Sequence, residues 1–263
     1  MNSAEVLPSS GRSGISAFPD LAGASEAAAR RLVVIARKAV EKNGRFALAL
    51  SGGSTPRLLY SLLAEKFARQ IPWKKTHLFW GDERCVPKNH PQSNFRLAEE
   101  TLISRVPIPR QNIHSIPAEL KLPQEAARTY EETLRQFFGA DGIIDEGQTF
   151  DLILLGLGPD GHTASLFPGS RVLDEQDRWA AAVLAPSAFR PRHRITLTLP
   201  AINKSVRAFF LVASAEKRKI MASILQNLRS SSRLYPAAMV KPQKGVTWFV
   251  DHEALGRHPI NFI

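Results

Sequence analysis

Short apolar runs that end in glycine-rich turns and lead into helical stretches recur along the 263 residues and predict an α/β fold. The expected architecture is a three-layer α/β/α sandwich on a mainly parallel, Rossmann-like sheet, because alternating strands and helices favour parallel pairing with both faces covered. A small satellite layer is expected around residues 178–204. Hydrophobic residues make up 44% of the chain and charged residues 22%, a balance that supports a sizeable core and excludes wholesale disorder. Cys85 is the single cysteine, so no intrachain disulfide framework exists.

Taken in order, the segment 1–16 is rich in Ser, Gly and Pro and reads as a flexible start. Residues 17–263 contain no composition break and are expected to form a single domain. Asp20 to Gly44 has helical apolar periodicity, with Gly44 as the stop. Phe46 to Ser51 is a nearly all-apolar run suited to a buried strand, and GGSTP leads from it into a helix over 57–69. Thr76 to Gly81 reads as the next strand, followed by a polar loop through Asn89, a helix over 91–104 and a short edge strand over 112–116. Pro123 opens a helix running to Phe138. In the second half, Phe150 to Gly158 is the most clearly marked strand, and the loop after it is expected to open a short helix. Strands follow over 179–184, 194–200 and 206–214, then a helix over 215–228 and a final strand over 246–254.

Charge is the unusual bulk property. Thirty-five Lys and Arg against 24 Asp and Glu give a formal net charge of +11. Such a surface attracts anions, whether nucleic acid, an acidic membrane or a phosphorylated metabolite. Basic residues are scattered, with the densest cluster at Arg190, Arg192, His193 and Arg194, and no finger or RNA-binding motif accompanies them. Nucleic acid is therefore not expected as the primary partner. No apolar run approaches the roughly 18 residues of a membrane span, and the opening lacks the order of a secretory signal. The expectations are a cytoplasmic protein without a membrane partner, present as a monomer or weak homodimer. No CxxC or HExxH pair suggests a metal.

Four segments carry chemistry. Gly52, Gly53, Ser54 and Thr55 lie between a strand and a helix, with Pro56 fitting the first helical position and Thr55 able to cap, so free amides can converge on an anion. A tight turn would use similar residues. Arg57, in the first helical turn, opposes the helix dipole unless an anion shares the site. Asp82 and Arg84 stand in a charged strand tip, GDER, that offers a carboxylate to a sugar hydroxyl or cation and a guanidinium to phosphate or an oxyanion; the alternative is a solvated turn with an internal ion pair. Asn94 nearby supplies a local polar contact or simply starts a helix. Asp160 and His162, in GLGPDGHTAS, are spaced so that a carboxylate can orient an imidazole that removes a proton from water. Lys217 follows Ser214, a candidate N-cap; its charge is off-pattern there unless phosphate is bound, or it faces solvent on an amphipathic helix.

SGGSTP, FWGDERCVP, SNF, FDLILLGLGPDGHTASLFPGS, RITLTLP and SAEK occur in an order that resembles the glucosamine-6-phosphate isomerase/6-phosphogluconolactonase family over nearly the whole chain. The deaminase branch of that family places a glutamate seven residues beyond the Asp of its DGH, where this chain has Phe167, and the lactonase pattern DGHTASLFPG is intact. The resemblance thus implies hydrolysis of 6-phospho-D-glucono-1,5-lactone without a cofactor or metal, over glucosamine-6-phosphate deamination or a non-catalytic sugar-phosphate sensor. It implies His162 as base, Asp160 as its orienting group and Arg84 as the oxyanion partner. Phosphate would meet the Gly52 to Thr55 amides, with Arg57, Lys217 and Arg194 as cations.

Overall fold

The computed structural model describes residues 14–139, 149–227 and 234–256. Six strands form one sheet: β1 (Gly14–Phe18), β2 (Phe46–Leu50), β3 (Thr76–Trp80), β5 (Leu152–Leu155), β8 (Ala208–Val212) and β9 (Val246–Asp251). Their order is β1-β9-β8-β5-β2-β3, and every pairing is parallel. Every residue of β2, β5, β8 and β9 is buried, which is why these runs are apolar without alternation. The expected satellite layer is a separate antiparallel sheet of β4 (Asp82–Arg84), β7 (His193–Leu197) and β6 (Ala180–Leu184).

Helix α1 (Leu21–Asn43) stops at Gly44, which takes φ 72°, as its sequence predicts, and is also capped at its start, where the Asp20 side chain accepts from the Gly23 N–H at 2.8 Å. It packs on β1, β2, β8 and β9, beside α2 (Thr55–Glu65). Helix α4 (Pro123–Phe138) covers β6 and β7. The remaining helices are α3 (Asn94–Thr101), α5 (Leu199–Lys204), α6 (Arg218–Asn227) and α7 (His252–Leu255).

Two buried tyrosines tie down the carboxyl ends of adjacent strands. Tyr60 on α2 accepts from the Ser51 N–H at 2.9 Å and donates to the Ser51 carbonyl at 2.7 Å. Tyr130 on α4 does the same at Trp80, at 3.0 and 2.9 Å. Burial raises both phenol pKa values, so each hydroxyl keeps the proton it donates. The loops after β2 and β3 therefore leave the sheet from fixed points.

Several expectations are corrected. Residues 14–16 are not a flexible start but part of β1, held by parallel pairing to β9; residues 1–13 lie outside the described residues. The polar loop after β3 begins as a strand, β4, paired to β7. The edge strand over 112–116 reduces to one bridge, Leu78 to Ile113. The loop after β5 closes a tight Thr163–Leu166 bridge and then opens a short 3-10 helix, Arg171–Asp174, after Ser170. Strand β7 ends before Thr198, whose side chain accepts from the Ala201 N–H and starts α5. The helix expected from 215 begins as a 3-10 turn, Ala215–Lys217, before α6, and Leu228 lies outside the described residues.

Candidate active site

Strands β2 and β5 are neighbours, yet the chain leaves β2 towards β3 on one side and leaves β5 towards β8 on the other. That divergence opens a crevice beyond their carboxyl ends, the usual ligand position in an open α/β sheet. The Gly52–Ser54 turn follows β2 and the DGH loop follows β5. Strand β3 feeds β4, and β8 feeds the turn carrying Lys217. All four segments singled out by sequence thus leave the same end of the sheet.

The DGH loop is folded on itself. Gly158 N–H donates to the His162 carbonyl at 2.8 Å, Gly161 N–H to the Gly158 carbonyl at 3.1 Å, and Thr163 Oγ1 to the Gly156 carbonyl at 2.9 Å. A Cβ at Gly158 would collide with the His162 ring, so glycine there lets the imidazole lie across the turn. Asp160 Oδ1 accepts from the His162 backbone N–H at 3.1 Å and lies 2.6 Å from His162 Nδ1. With the proton on Nδ1 facing the carboxylate, Nε2 carries the free lone pair. Burial pushes the Asp160 carboxyl up, but its bonds and charge interaction with His162 outweigh that and hold it below its ordinary value. The imidazole is flanked by Phe167, centroids 4.6 Å apart, and by Phe189, edge-on at 5.1 Å. Ala164 in the same loop adopts φ 48°, unusual for a non-glycine residue.

Lys217 ends the turn that follows β8. Burial lowers its pKa, while the charges of Glu216 and Asp160 act in the opposite direction. Its supposed cap is absent: Ser214 has φ 85° and makes no side-chain capping bond, and its N–H donates to Asp251 Oδ2 at 3.0 Å.

The GDER tip is not a solvated turn. Glu83 is 3% exposed and accepts from Arg84 N–H, Asn94 N–H, Phe95 N–H and the Ser93 hydroxyl, so it anchors the start of α3; burial raises its pKa against those bonds. Asp82 is buried as well. One oxygen accepts from Asn94 Nδ2 at 3.0 Å and the other from the Ser165 hydroxyl at 2.7 Å. Asn94 lies directly on Gly52, where any Cβ would strike its carboxamide. Asp82 thereby links the turn after β2, through Asn94, to the loop after β5, through Ser165.

Arg84 and Arg194 are directly opposite in the β4–β7 register, so two like charges share one face with Asp82 and Thr196. Arg194 is 4% exposed; burial lowers its pKa, the Asp82 charge raises it and the Arg84 charge lowers it. Its Nε donates to the Pro191 carbonyl at 3.0 Å, and its guanidinium lies 5.8 Å from the Phe167 ring centroid. Arg84 donates through Nη1 to the Gln92 carbonyl at 2.7 Å, but its Nε is buried with no hydrogen-bond partner. An orphaned guanidinium N–H beside a second arginine suits an anionic ligand.

Among the described residues, the Gly52, Gly53 and Ser54 N–H groups have no acceptor, and Gly53 takes φ 97°. The N-cap position falls on Ser54 without a side-chain bond, whereas Thr55 is the first helical residue rather than the cap. Arg57 is exposed on α2, with no side-chain hydrogen bond or ion pair among the described residues. The structure pairs Asp160 with His162 and joins their loop, through Ser165 and Phe167, to Asp82 and Arg194, with Arg84 opposite Arg194 and Asn94 against Gly52; Lys217 ends the turn after β8 and Arg57 lies on α2. Ser165, Thr196 and Phe189 were not singled out from sequence, and only their neighbours in a motif or a basic cluster hinted at them. Among the described residues, no group of three or more His, Cys, Asp or Glu side chains could hold a metal ion.

Fold and site together define an α/β protein with a glycine-rich turn of unpaired amides and a carboxylate-supported histidine at one sheet crest. The model of the family described as glucosamine-6-phosphate isomerases/6-phosphogluconolactonase matches residues 19–249, and the chain belongs to that family. A 6-phosphogluconolactonase from Synechocystis is 41% identical over 82% of this chain and 86% of its own length. One from Nostoc is 40% identical over 86% and 91%. The crystal structure of 6-phosphogluconolactonase from Thermotoga maritima superposes with a TM-score of 0.76 at 32% identity, covering 91% of this chain and 99% of that one. A monomeric glucosamine-6-phosphate deaminase, at 17% identity and a TM-score of 0.75, shares the fold.

Proposed function

We propose that this enzyme hydrolyses 6-phospho-D-glucono-1,5-lactone to 6-phospho-D-gluconate in the oxidative pentose phosphate pathway, acting as a carboxylic ester hydrolase. The observation that carries the choice within the family is Phe167. Its ring packs on the His162 imidazole where the deaminase pattern has a glutamate, so the histidine has one carboxylate partner, Asp160, and an apolar wall opposite. That suits a base acting on water.

A lactone is an activated ester, so a positioned base and an oxyanion partner suffice. His162 Nε2 takes a proton from water as the water oxygen bonds to C1. Negative charge then gathers on the carbonyl oxygen, where Arg84 stabilises it. Collapse breaks the bond from C1 to the ring oxygen, and the imidazolium returns its proton to that oxygen. Asp160 keeps Nδ1 as the donor and stabilises the transient imidazolium. The phosphate lies against the Gly52 to Thr55 amides, with Lys217, Arg194 and Arg57 as candidate cations; Asp82 supports both loops from beneath.

The test is a coupled assay with freshly generated lactone, corrected for spontaneous opening, beside an ammonia-release assay on glucosamine 6-phosphate. Accelerated lactone opening with no appreciable ammonia is expected. Ammonia release at a rate rivalling lactone hydrolysis would overturn the assignment.

A further inference from the structure

The loop between β6 and β7, residues 185–192, reaches from the small sheet to the crest of the large one. Pro186, Ser187, Ala188 and Arg190 are exposed, whereas Phe189 is half-buried and turned inward. Nothing within that polar loop needs an aromatic ring. Phe189 instead meets the His162 ring at 5.1 Å with planes 86° apart, and the Phe167 ring at 5.2 Å. The loop is tied down through the two arginines that face each other in the β4–β7 ladder. Arg194 Nε donates to the Pro191 carbonyl, while Gln92, whose carbonyl accepts from Arg84, donates through its side chain to the Arg190 carbonyl at 3.3 Å. Ala185 N–H and Arg192 close its base.

We infer that Phe189 is a positioning residue for His162: with Phe167 on one side and Asp160 on Nδ1, it closes the third side of the imidazole and holds the ring in the orientation that keeps Nδ1 on Asp160. This rests on the proposed role of His162 as base. An aromatic contact of this kind contributes roughly 0.5–1.5 kcal/mol, which converts to about a two- to tenfold change in the population of a correctly placed ring. Because Phe189 acts on the base and not on phosphate, its loss should appear in kcat and leave KM and phosphate competition in place.

The experiment compares Phe189→Ala and Phe189→Leu with the parent protein in lactone hydrolysis, in inhibition by inorganic phosphate, and in the NMR shifts of the His162 ring protons, assigned by their loss in His162→Asn. The alanine variant should lose about two- to tenfold in kcat at unchanged KM and phosphate inhibition, with leucine recovering part of the loss. Its His162 ring signals should also move as the neighbouring ring current disappears. Unchanged kcat, or a raised KM at constant kcat, overturns the inference and makes Phe189 a bystander or a substrate wall. The NMR arm separates this idea from the assignment of the reaction. If the parent protein opens no lactone, the proposed function falls, and unmoved ring signals would independently dismiss the contact.

Discussion

Two histidines at opposite ends of the large sheet are each engaged through Nδ1, and they are built for opposite purposes. His162, beyond the carboxyl end of β5, faces a carboxylate at 2.6 Å. His77, near the amino end of β3, faces His114 Nε2 at 3.2 Å and packs on Phe137, over which the Arg45 guanidinium lies 4.1 Å from the ring centroid. Burial, then the charges of His114 and Arg45, drive the His77 pKa down to about 4. A carboxylate partner supports an imidazolium formed during a proton transfer; burial, a second imidazole and a guanidinium oppose one. The partner at Nδ1 and the end of the sheet separate His162, the proposed base, from the half-buried His77.

The largest effect that bears on this contrast is at the base. His162→Ala should lower kcat by roughly 10² to 10⁴, the usual worth of a positioned base, with folding intact by circular dichroism. His77→Leu should leave kcat at neutral pH unchanged; a comparable loss in both variants would erase the contrast.

Next comes Lys217, on the turn that β8 feeds beyond the same end of the sheet. A charge-assisted hydrogen bond contributes roughly 1.5–3 kcal/mol, so Lys217→Ala should cost about 10- to 100-fold in kcat/KM, mainly through KM, and weaken competition by phosphate. Equal kinetics for the variant and the parent would return Lys217 to the solvent-facing reading and require another cation for phosphate.

The smallest effect is on stability. The native state holds His77 near 4 against about 6.5 in the unfolded chain, so between those values the unfolded chain binds more protons. The contribution of a neutral His77 is complete above about pH 6.5 and is lost as pH falls towards 4. Urea midpoints measured from pH 7 to pH 4 should therefore drop less steeply for His77→Leu than for the parent chain. Parallel slopes would show that this histidine titrates alike in both states.

Much of this was legible in the sequence because β2, β5, β8 and β9 are buried throughout and mostly apolar, and β2, β3 and β5 run into glycine within two residues. The helix over 123–138 and the Gly44 stop of α1 could be read from local chemistry alone. Strand β1 could not: GISAF has little periodicity, and only its pairing with β9 makes it a strand. Strand β4 was hidden for the opposite reason, since three charged residues carry no strand signature. Their conformation follows from the β7 ladder and from four donors converging on Glu83. The contact of Asn94 with Gly52, and the reach of Phe189 to His162, join segments remote in sequence, so no local pattern could disclose them. Lys217 does stand at a helix start, closing the 3-10 turn that runs into α6; what fails is the Ser214 cap.

The central claim is that His162 removes the proton from the attacking water. It is tested most directly by pre-steady-state hydrolysis of freshly prepared lactone with His162→Asn, with circular dichroism and phosphate binding measured on the same preparation. Asparagine keeps polarity and approximate size but has no basic nitrogen. The account predicts a folded, phosphate-binding variant whose chemical step is slower by roughly 10² to 10⁴. A folded, phosphate-binding variant with a near-native chemical rate would contradict it and leave His162 as a residue that only stabilises its loop.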